Sequence, residues 1–414
     1  MENSESSIFI TGRAGTGKST LLRLFKSTTR KNIVVLAPTG VAALNVGGQT
    51  IHSFFKFPPR LIENSGIRKQ KFRKIYTKID IIIIDEISMV RADILDNIDY
   101  FLQLNRANPL PFGGVKMIFI GDLYQIPPVV NQGFEMKYLA EKYVTPYFFS
   151  SDVISSRDFN LEFLELHEVF RQEDRAFINL LEAIRLNEID FDILEELNSR
   201  YLPDISEDEK FVILSSRNNQ VNKINTEKLE ALPYSSMYFQ AEITGEFPES
   251  IFPTESVLIL KEGAQVMFIR NDAEKRFVNG TIGKITFLTN DKITVEITNK
   301  NEVSEIEVDK ELWDNIRYKF DENKPETLSE EIIGSFKQYP LKLAWAMTIH
   351  KSQGKTFENV IIDMNQGAFT HGMTYVALSR CTSLDGIILK RPLKPTDIIV
   401  DERIVEYLET MRRL

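Results

Sequence analysis

A glycine-rich stretch near the start of the chain has the residue types that hold nucleotide phosphates. Gly12 to Ser19 fits the pattern G-x-x-x-x-G-K-[ST]. The apolar run Ile8 to Ile10 leads into it, and an apolar pattern at helical spacing follows it. In such a loop, backbone N–H groups converge on phosphate oxygens, and the helix adds the positive end of its dipole. The stretch therefore predicts a site for a nucleoside triphosphate.

The residue types within this loop predict separate tasks. We expect Lys18 to neutralise the β- and γ-phosphates and the Ser19 hydroxyl to ligate Mg²⁺. Side chains at the three glycines would obstruct the close approach of the backbone to the phosphates. The predicted nucleotide-binding residues of the loop are Gly12, Ala14, Gly15, Thr16, Gly17, Lys18, Ser19 and Thr20.

Two acids follow a buried apolar run and complete the predicted site. Ile79 to Ile84 reads as a strand that ends in Asp85 and Glu86. We expect Asp85 to hold Mg²⁺ through water and Glu86 to polarise the attacking water as a general base. An Asp-Glu pair also caps helices, but its position behind a complete phosphate loop favours the catalytic interpretation. The pair favours hydrolysis over phosphoryl transfer to a small acceptor.

Three further side chains are candidates for contact with the γ-phosphate. Gln125 lies just beyond a third apolar run, Val115 to Ile120, where an amide can sense the loss of that phosphate. Arg171 and Arg380 are candidates to stabilise the negative charge that develops in hydrolysis. If a second α/β unit supplies these arginines, catalysis requires the cleft between the units to close. The predicted catalytic residues are Lys18, Asp85, Glu86, Gln125, Arg171 and Arg380.

The elements that must position these residues read as two α/β units. Apolar strands alternate with helical segments, which predicts a parallel sheet with ligand sites past the strand ends. We expect a first unit over residues 1–150, a second over 151–242 and 340–414, and a β-rich insertion over 243–339. The acidic stretch Glu302 to Glu331 is interpreted as the solvated outer face of that insertion.

A basic segment interrupts the first unit, and the composition limits the class of protein. Residues 56–78 carry eight Lys or Arg residues against one acid, Glu63, and are interpreted as a small insertion on one rim. A net charge of −9 over 414 residues argues against a wholly basic coat on nucleic acid but allows a local basic channel. The single Cys381, the acidic start of the chain and the lack of a long apolar run predict an intracellular protein, cytoplasmic in a bacterium, with no membrane partner.

The ordered motifs resemble those of a superfamily 1 helicase. Beyond the residues above, the resemblance rests on Trp345 to Gly354 and Val376 to Arg380. Ala37 to Asn45, Thr50 to Phe54, Phe112 to Gly114 and Gln125 to Val129 make the chain similar to the Pif-one (petite integration frequency) DNA helicases, relatives of RecD-type enzymes. The match covers nearly the whole chain.

This resemblance implies a fold and an activity. It implies two RecA-like P-loop domains with parallel sheets and ATP and Mg²⁺ between them, a small wedge insertion in the first domain and an SH3-like β-barrel insertion in the second. The implied activity is ATP-driven 5′-to-3′ translocation on single-stranded DNA with duplex unwinding, and unfolding of G-quadruplex DNA is a further activity that it allows. The implied partners are single strands and single/double-strand junctions, and the implied state is a monomer.

The resemblance also assigns residues to a DNA path. By motif position these are Thr39, Gly40, His52, Ser53, Thr348, His350, Lys351 and Ser352, and Gly354 would approach the nucleotide. Hydroxyl, imidazole and backbone amide groups suit phosphate binding without base readout, which a sequence-tolerant motor needs. The family places an adenine-reading glutamine ahead of the phosphate loop, and Ser4 to Ser7 contain none. Either that glutamine precedes Met1 or base selectivity is loose.

Two alternatives remain open from the sequence. A nucleotide kinase uses the same phosphate loop, but the acid pair and the two widely separated arginines disfavour it. An ATP-dependent clamp or remodelling ATPase would bind nucleic acid without separating strands. Phosphate release with and without single-stranded DNA distinguishes a kinase from a motor, and a 5′-tailed duplex distinguishes a clamp.

Overall fold

The computed structural model describes residues 4, 6–58, 60–71, 73–203, 211–272, 274, 276–299, 302–320 and 328–413. Its strands are β1 (Ser7–Gly12), β2 (Ile33–Ala37), β3 (Gln49–Thr50), β4 (Ile81–Ile84), β5 (Lys116–Ile120), β6 (Leu161–Leu166), β7 (Val212–Ser215), β8 (Met237–Gln240), β9 (Glu242–Gly245), β10 (Val257–Leu260), β11 (Gln265–Phe268), β12 (Ile282–Leu288), β13 (Ile293–Asn299), β14 (Glu302–Val308), β15 (Glu311–Phe320), β16 (Leu328–Gln338), β17 (Leu341–Leu343), β18 (Ala346–Thr348), β19 (Val360–Asp363) and β20 (Ile387–Leu389). Its α-helices are α1 (Lys18–Thr28), α2 (Gly40–Val46), α3 (Ile51–Phe55), α4 (Lys74–Lys78), α5 (Ala92–Arg106), α6 (Phe134–Lys142), α7 (Arg175–Leu186), α8 (Phe191–Asn198), α9 (Asn218–Ala231), α10 (Met373–Leu378) and α11 (Glu402–Arg413).

The first lobe is built on a six-stranded parallel sheet in the order β3-β2-β4-β5-β1-β6. Every residue of β1 and β4 is buried, because helices cover both faces of the sheet. Ile8 pairs with Ile118 and Ile83 with Ile118 from the other side, so β1, β5 and β4 run in register. Their carboxyl ends consequently meet at one edge, which places the phosphate loop beside Asp85 and Asp122.

The second lobe is a four-stranded parallel sheet in the order β18-β7-β19-β20. Its central strands β7 and β19 are fully buried and pair from Val212 with Val360 to Ser215 with Asp363. The α/β fold with two lobes is therefore confirmed. The carboxyl edge of this second sheet carries the loops after Ser215, Thr348 and Asp363, which is where ligands bind to parallel sheets.

A β-rich region is inserted between β7 and β18, as predicted. It contains a five-stranded antiparallel sheet in the order β14-β13-β12-β11-β17, a three-stranded sheet β15-β16-β9 and the pair β10-β8. Val266, Ile285, Val295 and Leu341 are among the fully buried side chains of its core. This core is separate from the hydrophobic clusters of the two parallel sheets.

Strand pairing extends past three of the predicted domain boundaries. β6 lies beyond residue 150 but is the edge strand of the first sheet and pairs with β1 over Ser7 to Gly12. β8 precedes residue 243 and pairs with β10 of the insertion, and β17 follows residue 339 and pairs with β11. The sequence pattern marks strands but not their partners, and a partner decides which unit a strand joins.

The hairpin of β15 and β16 contacts the first lobe. The Val35 N–H donates to the Tyr318 hydroxyl over 3.0 Å, and Gln49 Nε2 donates to the Ile316 carbonyl over 2.7 Å. The Tyr318 ring meets Phe54 edge-on, with centroids 6.0 Å apart. The interpretation of Glu302 to Glu331 as a solvated face is therefore wrong for one side of β15, because alternate residues of a strand face opposite ways. Residues 321–327 of that stretch lie outside the described part of the chain.

The described part of the basic insertion, residues 56–78, lies against the first lobe. Ile62, Ile67 and Tyr76 are buried in the core of that lobe, and Asn97 donates to the Ile62 carbonyl. Its basic side chains point outward, with Arg60, Arg68, Lys69, Lys71 and Arg73 exposed. Residues 59 and 72 lie outside the described part. The wedge role of this segment stays a prediction.

The helices are short. α5 has 15 residues, whereas α1, which follows the phosphate loop, has 11 and α7 has 12. Among the residues that the structure describes, no helix combines the length and the apolar character that crossing a membrane would need.

Candidate functional site

Lys18 lies at the centre of the phosphate loop. It begins α1 after Gly17, and its Nζ donates to the carbonyls of Gly12 at 2.7 Å and Arg13 at 2.9 Å. Burial lowers the pKa of Lys18, while Asp122 and Glu86 oppose that shift. The loop thus holds a cation at the place where the motif requires one for β- and γ-phosphates.

Gly15 brings the loop against Arg171. Its φ of +85° lies in the left-handed region, and a Cβ added there would lie 2.6 Å from the Cβ of Arg171. The Phe170 N–H donates to the Gly15 carbonyl over 3.0 Å, which fixes the contact. Both the backbone angle and the contact therefore require glycine. Arg171 follows β6 and sits beside the phosphate loop of its own lobe.

The rest of the loop has internal partners. The Ala14 N–H donates to the Tyr375 hydroxyl over 3.0 Å, which connects the loop to α10 of the second lobe. The buried Thr16 hydroxyl donates to the Arg13 carbonyl over 2.9 Å. Ser19 and Thr20 lie exposed on the first turn of α1.

The acid pair sits at the end of β4. Burial, reinforced by Glu86, raises the pKa of Asp85 to about 7. Burial also raises the pKa of Glu86, while Lys18 and Arg380 lower it. Glu86 has φ 52° and ψ 45°, a left-handed conformation that costs a non-glycine residue energy and is frequent at functional sites. In this conformation the Glu86 carboxyl interacts with the positive charges of Lys18 and Arg380.

Ser19 and Asp85 are the residues that fit a magnesium ion. No group of three or more His, Cys, Asp or Glu side chains among the described residues could enclose a metal. Mg²⁺ needs only one or two protein oxygens, because nucleotide phosphates and water complete its coordination. A divalent cation would favour the ionised form of the Asp85 carboxyl, whose pKa burial has raised.

Arg380 faces this acid pair from the second lobe. Its side chain is 1% exposed, and it donates to the Val376 carbonyl over 2.9 Å and to the Ser379 hydroxyl over 2.8 Å. Burial and then the charge of Arg171 lower the pKa of Arg380 to about 9. Arg171 in turn donates to the Ser379 carbonyl over 3.1 Å. Lys18 and Arg380 thus act on Glu86 from the two lobes, with Arg171 near both, and an anionic phosphate would relieve the repulsion among the three cations.

Gln125 is held between the lobes. Its Nε2 donates to Asp122 Oδ2 over 3.2 Å, and its Oε1 accepts from Gln353 of the second lobe over 3.4 Å. Gly354 follows with a φ of +76°, and nothing lies within 4 Å of the Cβ position, so its backbone is open on that side. The predicted nucleotide residues from both lobes are therefore brought together around one cleft.

Four residues of this cleft were not among the predicted site residues. Gln353 lies inside the motif Trp345 to Gly354 and Tyr375 directly precedes the motif Val376 to Arg380, so their position was the available signal. His371 accepts from Asp401 N through Nδ1 and contacts the Leu123 carbonyl at 2.8 Å through Nε2. Arg185 is 1% exposed and pairs with Asp122. Neither His371 nor Arg185 belongs to a motif of the sequence. Arg185 differs from the other arginine of its helix only in the structure, where its side chain is buried.

The predicted DNA residues of the first lobe lie on short helices. Thr39 caps α2 by accepting from the Ala42 N–H over 3.3 Å. Gly40 is buried against the insertion, where a Cβ would lie 2.5 Å from Ile251 Cγ2. His52 is half-buried, and this burial together with the charge of Arg91 lowers the pKa of its imidazole. Ser53 is exposed. A neutral imidazole and an exposed hydroxyl can accept or donate without charge repulsion.

The predicted DNA residues of the second lobe differ in exposure. Lys351 is exposed, and the half-buried His350 ring stacks on exposed Phe369 at 6.4 Å. Thr348 is 4% exposed, and its hydroxyl accepts from the Lys351 N–H. Ser352 is buried and donates to the Ile349 carbonyl over 2.7 Å. The two buried hydroxyls shape this turn, and the DNA roles of all eight residues stay predictions.

Known proteins resemble this chain over most of its length. The family described as PIF1-like helicase matches residues 1–193. The ATP-dependent DNA helicase Pif1 of Bdellovibrio bacteriovorus is 32% identical, over 99% of this chain and 90% of the relative. The human ATP-dependent DNA helicase PIF1 is also 32% identical, and the chain spans 62% of its length.

Solved structures agree. Bacteroides Pif1 in complex with ADP-AlF4 is 36% identical with a TM-score of 0.90, covering 100% of this chain and 94% of that one. Bacteroides Pif1 in complex with ADP-AlF3 and single-stranded DNA is 36% identical with a TM-score of 0.70, covering 100% and 95%. These likenesses confirm the predicted family and the pair of RecA-like domains. This chain belongs to the PIF1-like helicase family.

Proposed function

We propose that this chain is a motor that hydrolyses ATP to move 5′ to 3′ along single-stranded DNA and to separate the duplex ahead of it. Its family makes it an ATP-dependent DNA helicase. The position of Arg380 is the strongest support for ATP-driven movement, although it does not bear on the direction of that movement. Arg380 lies in one lobe and acts on Glu86 of the other, so hydrolysis would depend on the distance between the lobes.

The residues of the cleft divide the chemistry among them. ATP supplies the γ-phosphate, and Ser19 and Asp85 would hold its Mg²⁺. Glu86 would accept the proton of the attacking water as a general base. Lys18, Arg171 and Arg380 would balance the charge that develops on the transferred group. Burial raises the pKa of Glu86, and the positive charges of Lys18 and Arg380 oppose that shift and so favour the carboxylate that a base requires.

Contacts between the lobes supply a route from hydrolysis to DNA. Ala14 reaches Tyr375 and Gln125 reaches Gln353, and Gln353 follows the turn that carries His350 and Lys351. A change at the γ-phosphate would therefore alter the turn proposed to bind DNA. This coupling is what a translocating enzyme needs and what a simple nucleotide kinase lacks.

The proposed partners are single strands and single/double-strand junctions, since Bacteroides Pif1 has been solved with single-stranded DNA. We assign the DNA path to Thr39, Gly40, His52, Ser53, Thr348, His350, Lys351 and Ser352, with segment 56–78 as the wedge and the inserted sheets as the SH3-like domain. We further propose that the protein acts as a monomer inside the cell, where ATP and DNA are found, and that G-quadruplex DNA is one of its substrates.

The first test is the Glu86→Gln variant. The amide cannot accept a proton, so phosphate release in the presence of single-stranded DNA should fall by about 10³-fold while ATP binding persists. Glu188→Gln, at an exposed position outside the cleft, should leave the rate unchanged. Undiminished hydrolysis or unwinding by Glu86→Gln would remove Glu86 as the base. ATP-dependent DNA binding by the unaltered chain without any strand separation would favour the clamp.

A further inference from the structure

Arg185 carries a charge inside the protein at a place that the catalytic assignments do not use. It lies near the end of α7 and is 1% exposed. Its Nη2 is 3.5 Å from Asp122 Oδ1, and its Nη1 is 3.4 Å from Glu182 Oε1. A buried arginine is stable only when paired, and here both partners are carboxylates. Burial alone would lower the pKa of Arg185, but Asp122, Tyr375 and Glu182 raise it above its ordinary value.

These contacts connect the two sides of the nucleotide site. Glu182 also pairs with Arg13 of the phosphate loop, with Nε and Oε2 2.8 Å apart. Asp122 accepts from Gln125 at 3.2 Å, and Gln125 accepts from Gln353 at 3.4 Å. The order from the phosphate loop to the second lobe is therefore Arg13, Glu182, Arg185, Asp122, Gln125 and Gln353. Within this network Arg185 joins Glu182 to Asp122.

The geometry also fixes the plane of the guanidinium. The Arg185 carbon Cζ lies 4.2 Å from the ring centre of Tyr124, which directly precedes Gln125. Such stacking holds arginine in one orientation. The Tyr124 N–H donates to Asp122 Oδ1, and the Tyr375 hydroxyl lies 3.5 Å from Oδ2. The loop that carries Gln125 is thus contacted both by Arg185 of α7 and by Tyr375 of α10.

Two donors of Arg185 have spare capacity. Among the described residues, Nε and Nη2 make no hydrogen bond, although Nη2 faces Asp122. A separation of 3.5 Å is an ion pair that is longer than the roughly 2.8 Å of a charge-assisted hydrogen bond. A small movement of the loop toward α7 would close that gap. The pairing can therefore strengthen in one position of the Gln125 loop.

We propose that Arg185 is a positioning residue for ATP hydrolysis, which orients Asp122 and through it sets Gln125 against the γ-phosphate. The inference rests on the proposed ATPase activity. It assigns to α7 a part in the transition state, because the Arg185–Asp122 pair is tightest when Gln125 engages the transferring group. A structural role alone would stabilise the fold without discriminating between nucleotide states.

The test compares ADP with ADP–aluminium fluoride, a mimic of the transferring phosphate, in the full chain with Mg²⁺. In Arg185→Met the affinity for the mimic and the DNA-stimulated kcat should each fall by about 10²-fold, whereas ADP affinity and the KM for ATP should change by less than about threefold. Arg185→Lys, which keeps the charge, should recover part of both. Arg175→Met, at the exposed start of the same helix, should match the unaltered chain in every assay.

Equal losses of ADP and mimic affinity, or an unchanged kcat, would overturn the proposal. If Arg185→Met does not fold, as judged by thermal unfolding, Arg185→Lys decides by the same ratio of affinities. Nucleotide affinities do not require strand separation. A chain that binds the mimic in an Arg185-dependent manner but unwinds no DNA would therefore contradict the proposed motor and leave the role of Arg185 intact.

Discussion

Arg380 illustrates how a single residue makes the site depend on both lobes. Its guanidinium is buried, and that burial, reinforced by nearby Arg171, lowers its pKa to about 9. Such a placement is unfavourable in the protein alone, because two like charges share a region that water does not screen. The triphosphate supplies the missing negative charge. Arg380 is therefore positioned for nucleotide, at a cost to the stability of the free protein.

Replacement of Arg380 by alanine should separate binding from chemistry. We expect hydrolysis to fall by about 10³-fold, the range found for arginines that contact a transferring phosphate. Arg380→Lys should retain the charge but lose the paired donors of the guanidinium, so its hydrolysis rate should lie between those of the unaltered chain and Arg380→Ala. Circular dichroism and phosphate release are the measurements, with exposed Arg403→Ala as control. A near-normal rate in Arg380→Ala would place the catalytic arginine elsewhere.

Lys355 predicts a measurable pH dependence of stability. Burial, reinforced by Lys342, lowers its pKa to about 8 from the model-compound value of 10.5. Below about pH 8 both folded and unfolded chains carry this proton, and the folded chain bears the full cost of burying the charge. Between the two pKa values the folded chain loses the proton first, so its stability rises with pH.

The Lys355→Met variant tests that sign. It should be more stable than the unaltered chain at about pH 7, and the difference in unfolding free energy should shrink between about pH 8 and pH 10. Urea unfolding at several pH values measures it, with exposed Lys31→Met as control. A difference that stays constant or grows with pH would contradict the burial of a charged Lys355.

At the scale of elements, the hairpin of β15 and β16 joins the inserted region to the first lobe. Tyr318 is its main anchor, because its hydroxyl accepts from a backbone N–H of the buried strand β2 and its ring meets Phe54. Gln49 adds a second hydrogen bond to the same strand of the hairpin. The contact spans sequence separations of 283 and 267 residues, so it closes the molecule over most of its length.

Tyr318→Phe removes one acceptor and keeps the ring. The Val35 N–H would then be buried without a partner, which should lower the free energy of unfolding by about 2 kcal/mol. Tyr238→Phe, on a side chain that is 68% exposed, should change it little. Urea unfolding of both variants provides the comparison. Equal stabilities would show that the hairpin does not depend on this hydrogen bond.

The sequence could predict those elements that neighbouring residues determine, but not those that depend on residues far along the chain. The phosphate loop, the run Ile81–Ile84 and its acid pair were predictable, because strand burial and motif spacing are local properties. The edge pairing of β6, the docking of Tyr318 and the burial of Arg185 were not, because each depends on a partner far along the chain. Ser352 shows the same limit, since its motif position does not reveal that its hydroxyl points inward.

At the scale of the molecule, the two lobes and the inserted sheets form one continuous set of contacts. The phosphate loop touches α10 through Tyr375, the Gln125 loop touches Gln353, and the hairpin returns to β2. A change in the cleft would therefore reach, through Gln353, the turn that is proposed to bind DNA. The proposed 5′-to-3′ movement is the property of the whole molecule that this arrangement must produce.

Strand separation on tailed duplexes tests that claim most directly. With ATP and Mg²⁺, we expect the chain to unwind a duplex with a 5′ single-stranded tail, and we expect a 3′-tailed duplex and a blunt duplex of the same sequence to remain paired. Glu86→Gln should bind the 5′-tailed duplex without unwinding it. Unwinding from the 3′ tail, or equal unwinding with and without ATP, would contradict the account.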